Sequence, residues 1–169
     1  MAVEAPIQGL PTGFIIIGRT ILTGAADTIT VTIAPGFRYL KIHAALLTSG
    51  SVNGIIRFNA DAGNNYAVRE STNNGADATT TSVSGVTVQA NSAAPASFIT
   101  ADVLNLVGSE KYVTALRNAA AAAATNAPGS RQTYGKWANT ADGITSVSVV
   151  NTDTGDYAIG SEVVVLGLL

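Results

Sequence analysis

Apolar and polar residues alternate with period two over much of this chain, and they do so in short runs. Asp27–Ile33 (DTITVTI) sets Ile29, Val31 and Ile33 on one face and threonines on the other, the pattern of a half-buried strand. Tyr39–Leu47 (YLKIHAALL) repeats it, with Leu40, Ile42, Ala44 and Leu46 on one side and Lys41 and His43 on the other. In Ile55–Asn59 the same rule points Ile56 and Phe58 inward and Ile55 and Arg57 outward. Phe14–Arg19, Val86–Gln89, Phe98–Val107, Ile144–Val150 and Glu162–Leu168 read as further strands.

Turn residues separate these runs. Ala34-Pro35-Gly36 joins two of them, because proline presets its φ and glycine tolerates a positive one. Ser51–Gly54 reads as another turn, and the polar Ser71–Ser84 (STNNGADATTTSVS) as a surface or interface loop. Ser109–Thr125 (SEKYVTALRNAAAAAAT) is divided. Its alanines and the Ser109 cap favour a helix, while Tyr112, Val113, Thr114 and Leu116 tolerate a strand. No βαβ series is visible, so a doubly wound enzyme fold is not expected. Many short strands with long connections predict an all-β fold, a β-sandwich of jelly-roll type. It would comprise one domain over 14–169, preceded by an extended arm over 1–13 that holds Pro6 and Pro11.

Composition narrows the functional classes. The chain has 169 residues, 47% hydrophobic and only 12% charged, roughly half the usual charged share. Such a surface, rich in Ala, Thr, Ser, Asn and Gly, suits close packing against neighbours. The formal charge is −2, and the nine Lys and Arg residues lie singly along the chain. With no basic stripe, nucleic acid is not an expected partner. The apolar runs FIII and VVVL are too short to span a bilayer, and MAVEAPIQGLPTG has neither the basic nor the apolar region of a secretory signal. Neither cysteine nor a second histidine exists to accompany His43, so thiolate or three-histidine zinc sites and a cysteine nucleophile are excluded. His43 reads as a histidine on an outer or inter-subunit strand face. No catalytic residue and no cofactor is expected.

Two stretches invite a chemical reading. Asn59-Ala60-Asp61-Ala62-Gly63 and Asn151-Thr152-Asp153-Thr154-Gly155 share N-x-D-x-G, with a glutamate, Glu70 or Glu162, at the twelfth place of each. Alternate oxygen ligands suit a hard cation, which makes Asp61, Glu70 and Asp153 weak calcium candidates. The competing and preferred reading is a pair of structural turns, in which Asx geometry and glycine shape the chain. Tyr134 and Trp137 form a second candidate, an aromatic platform for a sugar, against a tryptophan simply packed in the core.

IIRFNADAGNNYAVRE resembles the LRFN-x-D-x-G-x-NY stretch of a family of bacteriophage virion proteins with β-sandwich folds. The tail KWANTADGITSVSVVNTDTGDYAIGSEVVVLGL is similar to that family's C-terminal stretch through Trp137, Asn139, Ile144, Thr145, Val147, Gly155, Tyr157, Gly160, Ser161 and Gly167. Val147 stands for a usual isoleucine and Leu166 for a tyrosine, and Ser71–Arg131 has no counterpart. The resemblance implies an almost wholly β domain, which tilts Lys111–Arg117 toward strand. It also implies a virion component: a capsid decoration (cement) protein on the head surface, or a tail or tail-fibre component that binds a host surface glycan. For the decoration role, the expected partners are the major capsid protein and copies of the chain itself, as a homotrimer. The apolar arm residues Val3, Ile7 and Leu10 are then candidates to lie on a neighbour.

Overall fold

The computed structural model describes residues 13–92, 96–120 and 126–169. Every regular element among them is a strand, and every ladder is antiparallel. The strands are β1 (Ile15–Ile21), β2 (Thr28–Thr32), β3 (Tyr39–Ser49), β4 (Val52–Phe58), β5 (Tyr66–Thr72), β6 (Ala78–Val83) and β7 (Val86–Ser92). They continue with β8 (Ala96–Leu104), β9 (Lys111–Ala119), β10 (Gly129–Trp137), β11 (Ser146–Asn151), β12 (Asp156–Tyr157) and β13 (Glu162–Leu168). A large sheet runs β1-β13-β3-β8-β9-β10-β5-β6, with β12 added to β3, and a small sheet runs β2-β11-β4-β7.

The order β1-β13-β3-β8 against β2-β11-β4-β7 is that of a jelly roll. The links β1 to β2, β3 to β4, β7 to β8 and β11 to β13 each pass from one sheet to the other. The sandwich predicted from alternation is thus the one observed. Two inserted hairpins, β5–β6 and β9–β10, widen the large sheet beyond this frame. Ser71–Arg131 supplies β6, β9 and the start of β10 to that extension, and β7 and β8 to the frame.

The core follows the period-two pattern. Leu40, Ile42, Ala44 and Leu46 of β3 are buried against Ile29 and Val31 of β2, Ile56 and Phe58 of β4, and Val147 and Val149 of β11. Full burial of each large side chain contributes about 1.5–3 kcal/mol, so each correct alternation adds directly to stability.

Three local expectations need correction, and a fourth, left divided by propensity, is resolved. Ser51–Gly54 is not the turn, since β4 already begins at Val52 and the chain reverses at Gly50, whose φ is 110°. Ile55 does not face solvent. It is buried, because the Ser84-Gly85 turn folds over it so closely that a Cβ on Gly85 would meet its Cδ1 at 2.8 Å. Ser71–Ser84 is not one loop, since β6 occupies Ala78–Val83 and pairs with β5. Lys111–Ala119, divided between helix and strand on propensity and tilted toward strand by the resemblance, is a strand. Its odd positions are buried and its even ones exposed from Lys111 to Ala119, and two flanking ladders from β8 and β10 supply backbone partners that a helix would have made internally. The remaining alanines, 121–125, and the arm residues Val3, Ile7 and Leu10 lie outside the described residues.

Candidate functional site

The RFNADAGNNY segment closes β4 and turns into β5. Asn59 and Ala60 both take left-handed backbone angles, φ 52° and 55°, which costs on the order of 1–2 kcal/mol at Ala60. The side chain of Asn59 compensates. Its Oδ1 accepts hydrogen bonds from the N–H of Thr145 (2.8 Å) and of Ser146 (3.2 Å), and its Nδ2 donates to Gly143 O (3.0 Å). Positive φ was expected at Gly63, but it falls on Asn59 and Ala60. Gly63 serves close approach instead, since a Cβ there would lie 2.9 Å from Asn65 Nδ2 and 3.1 Å from Asp61 Oδ1.

Asp61 is the hub of this loop. Its carboxylate accepts from Gly63 N (2.8 Å), Asn65 Nδ2 (2.9 Å) and the indole Nε1 of Trp137 (2.7 Å). Trp137 stacks on Tyr66 with ring centroids 6.1 Å apart and tilts against Phe58 at 5.8 Å. All three rings are buried. The Tyr66 hydroxyl accepts from Phe58 N at 3.0 Å, and burial pushes its pKa up to about 12. The two stretches that carry the family resemblance therefore form one hydrogen-bonded knot, with residues 58–66 from one and 137–146 from the other.

Burial pushes the Asp61 carboxyl up, but the bonds from Asn65, Trp137 and Gly63, helped by nearby Arg57, outweigh it and leave the group below its ordinary value. A carboxylate depressed in the folded state stabilises it above the unfolded pKa of about 3.9, and that contribution is lost as pH falls through the folded value. Asp61→Asn is expected to flatten the acid side of the stability profile below about pH 4. Urea midpoints measured from neutral to acid pH check this, and a slope equal to the parent's would show that Asp61 is not one of the groups responsible.

The second N-x-D-x-G segment sits at the opposite end of the same strand pair. Asn151 closes β11, and its Oδ1 accepts from Asn53 N (3.0 Å) and Asp153 N (2.9 Å). Its Nδ2 donates to Gly155 O, to Asp153 O (3.1 Å) and to Asp27 Oδ1 (3.3 Å). Gly155 presses on the β3–β4 turn, where a Cβ would lie 2.6 Å from Ser51 O. β4 and β11 are antiparallel neighbours. Asn59 thus ties the end of β4 to the start of β11, and Asn151 ties the end of β11 to the start of β4.

The three acidic candidates are not brought together. Glu70 lies four residues along β5 from Tyr66, roughly 13 Å at strand rise, and its carboxylate pairs with the buried Arg131. Asp153 lies at the far end of β4 and takes Ser51 Oγ and Thr154 N, both at 2.8 Å. Glu162 pairs with Arg19 on β1. Among the described residues no group of three or more His, Cys, Asp or Glu side chains is placed to hold a metal ion. The sugar platform is not formed either. Tyr134 and Trp137 are three residues apart on β10 and so face opposite ways; Tyr134 is half exposed, and Trp137 is buried at 1% exposure.

What the sequence reading did not single out is the outer face of the large sheet. Tyr39 and Leu47 of β3, Phe98 of β8, Tyr112 and Leu116 of β9 and Tyr134 of β10 are all exposed there. His43 joins them, as expected for an outer-face histidine, and meets Phe98 edge-to-face at 6.1 Å. The outer face of the small sheet differs, presenting Thr28, Thr30 and Thr32 of β2 and the Thr30–Ser148 hydroxyl pair. The signal was present in the sequence: YLKIHAALL and KYVTALRNA put large apolar residues on both strand faces, which a one-sided strand has no need to do.

Fold and surface together define an all-β jelly-roll protein with exposed aromatic and aliphatic side chains on the outer face of its large sheet. No family model, no curated protein and no solved structure matches this chain.

Proposed function

We propose that this chain is a bacteriophage virion structural protein, a capsid decoration (cement) protein that binds the head shell and stabilises it, acting by adhesion. The observation that carries the reading is the outer face of the large sheet, where Tyr39, Leu47, Phe98, Tyr112, Leu116 and Tyr134 stand exposed on one surface. Aromatic and aliphatic side chains gathered on one exposed sheet face suit an interaction surface. The resemblance to virion proteins guides the choice of partner. Contacts of modest area repeated over many copies stiffen a shell without any one strong bond.

The major capsid protein and further copies of this chain are the partners in this reading. The alternative, a tail component that recognises a host glycan, loses the platform first assigned to it, because the indole of Trp137 is spent on Asp61 inside the fold. Counting copies in purified particles tests the proposal. Hundreds of copies per particle are the expected result, and a handful would overturn it.

A further inference from the structure

Strand register gathers an aromatic cleft at one end of the large sheet's outer face. Tyr39, Leu104 and Tyr112 stand in one row across β3, β8 and β9, and Lys41, Asp102 and Thr114 form the next row on the same side. Phe14, just ahead of β1, brings its ring to 5.3 Å from Lys41 Nζ, two strands in from β1 itself. The cleft so formed is about 280 Å³ and is lined by Phe14, Tyr39, Asp102, Leu104, Tyr112 and Thr114. That volume falls just below the range for drug-sized ligands, so it suits one small ring.

The make-up of the cleft narrows the ligand. Tyr39 and Tyr112 are two strands apart, roughly 9–10 Å at strand spacing, with Leu104 between them as a floor. A saturated ring can rest its C–H faces against such aromatic walls. One oxygen of Asp102 receives Lys41 Nζ. The other oxygen, the Thr114 hydroxyl and the Tyr39 hydroxyl have no hydrogen-bond partner among the described residues, and all three side chains line the cleft. Charge is balanced, since Lys41 offsets Asp102 and Lys136 offsets Glu110, the acceptor of the Tyr112 hydroxyl. An anion therefore finds no spare cation here. An apolar side chain would strip water from the Asp102 oxygen and two hydroxyls without replacing it. A neutral ring that carries several hydroxyls meets both conditions.

We infer that this cleft binds a neutral sugar ring, a pyranose held between Tyr39 and Tyr112 with its hydroxyls directed to Asp102 and Thr114. The site is confined to the Tyr39 end of the face, and Leu47 and Phe98, toward the other end, are left to the shell contact. It is distinct from the Tyr134–Trp137 platform, because neither of its tyrosine walls is spent on the core. The inference goes beyond the adhesion reading and does not depend on it.

Titration of the full, isotope-labelled chain with D-glucose, D-galactose and N-acetyl-D-glucosamine, followed by amide chemical shifts, tests it. At least one sugar is expected to move the resonances of Tyr39, Asp102, Tyr112 and Thr114 with a dissociation constant on the order of 1 mM. Tyr112→Ala is expected to weaken that binding at least tenfold while the melting temperature stays close to the parent's, since Tyr112 is 53% exposed. Thr114→Val is expected to weaken it several-fold, and Phe98→Ala, at the opposite end of β8, to leave it unchanged. Should Tyr112→Ala fail to fold, Tyr39→Ala removes the other wall. No shift at these residues with any of the three sugars, or binding undiminished by Tyr39→Ala and Tyr112→Ala, overturns the inference. A low particle count overturns the decoration reading and leaves the titration standing, so the two failures are separable.

Discussion

Trp137→Ala is expected to lower the free energy of unfolding by about 3–5 kcal/mol, the range for emptying a large aromatic site in a packed core. Three losses act together. The indole leaves a cavity between Phe58 and Tyr66, the stacked contact with Tyr66 disappears, and Asp61 loses the Nε1 donor at 2.7 Å. Trp137 is the only tryptophan, so the variant must be followed by circular dichroism and not by indole fluorescence. The size of the effect separates the two original readings of this residue. A sugar platform is exposed, and its truncation costs ligand affinity with little loss of stability; a loss under about 1 kcal/mol would restore that reading.

Asn151→Ala is expected to cost roughly 2–3 kcal/mol, nearly all of it through polar groups left without partners. The side chain is buried and serves the N–H groups of Asn53 and Asp153 and the carbonyls of Asp153 and Gly155. Alanine leaves these groups in a space with few other donors or acceptors. Urea unfolding of Asn151→Ala and of Asp153→Ala provides the comparison. Asp153 is the residue a calcium site needs, yet its carboxylate binds only Ser51 Oγ and Thr154 N at the surface of the turn. The asparagine variant should therefore be the more damaging. The reverse order would return the acidic residue to the centre of the motif.

Legibility of the fold in the sequence depended on which strands had one wet side. β2, β3 and β11 alternate because one face meets the core and the other meets solvent or hydroxyl-bearing neighbours. β6 shows no alternation because Ala78–Ser82 are exposed on both faces, so ATTTSV carries no pattern to read. β9 hid for a different reason. Its buried set, Lys111, Val113, Ala115, Arg117 and Ala119, includes a lysine and an arginine. The Lys111 ammonium is accepted inside because the carbonyls of Ser109 (2.8 Å) and Asn139 (3.0 Å) receive it, the second of them brought in from beyond the far end of β10. Ile55 was misplaced because strand periodicity says nothing of a later turn folding over the outer face.

The candidate site was legible as a motif but not as a mechanism. N-x-D-x-G marks two turns in which the Asp61 and Asn151 side chains accept the backbone hydrogen bonds of Asx turns. What the letters could not carry was the reason for the asparagine, since each one satisfies backbone groups on a strand about ninety residues away. The outer face was missed because exposed apolar residues on a strand are ordinary singly, and only the register of β3, β8, β9 and β10 assembles them into one surface.

The pairing of β1 with β13, from Ile15 opposite Gly167 to Ile21 opposite Glu162, sets a timetable for making the protein. β13 lies between β1 and β3, so during synthesis both strands wait with an open edge until β13, far later in the sequence than either, has left the ribosome. Pairings this distant in sequence are slow to form, and β3 meanwhile offers a long apolar edge to any neighbouring nascent chain. The seven residues of β13 thus act as the closing stitch of the molecule, and the speed of their arrival sets how long its interior stays exposed to misassembly.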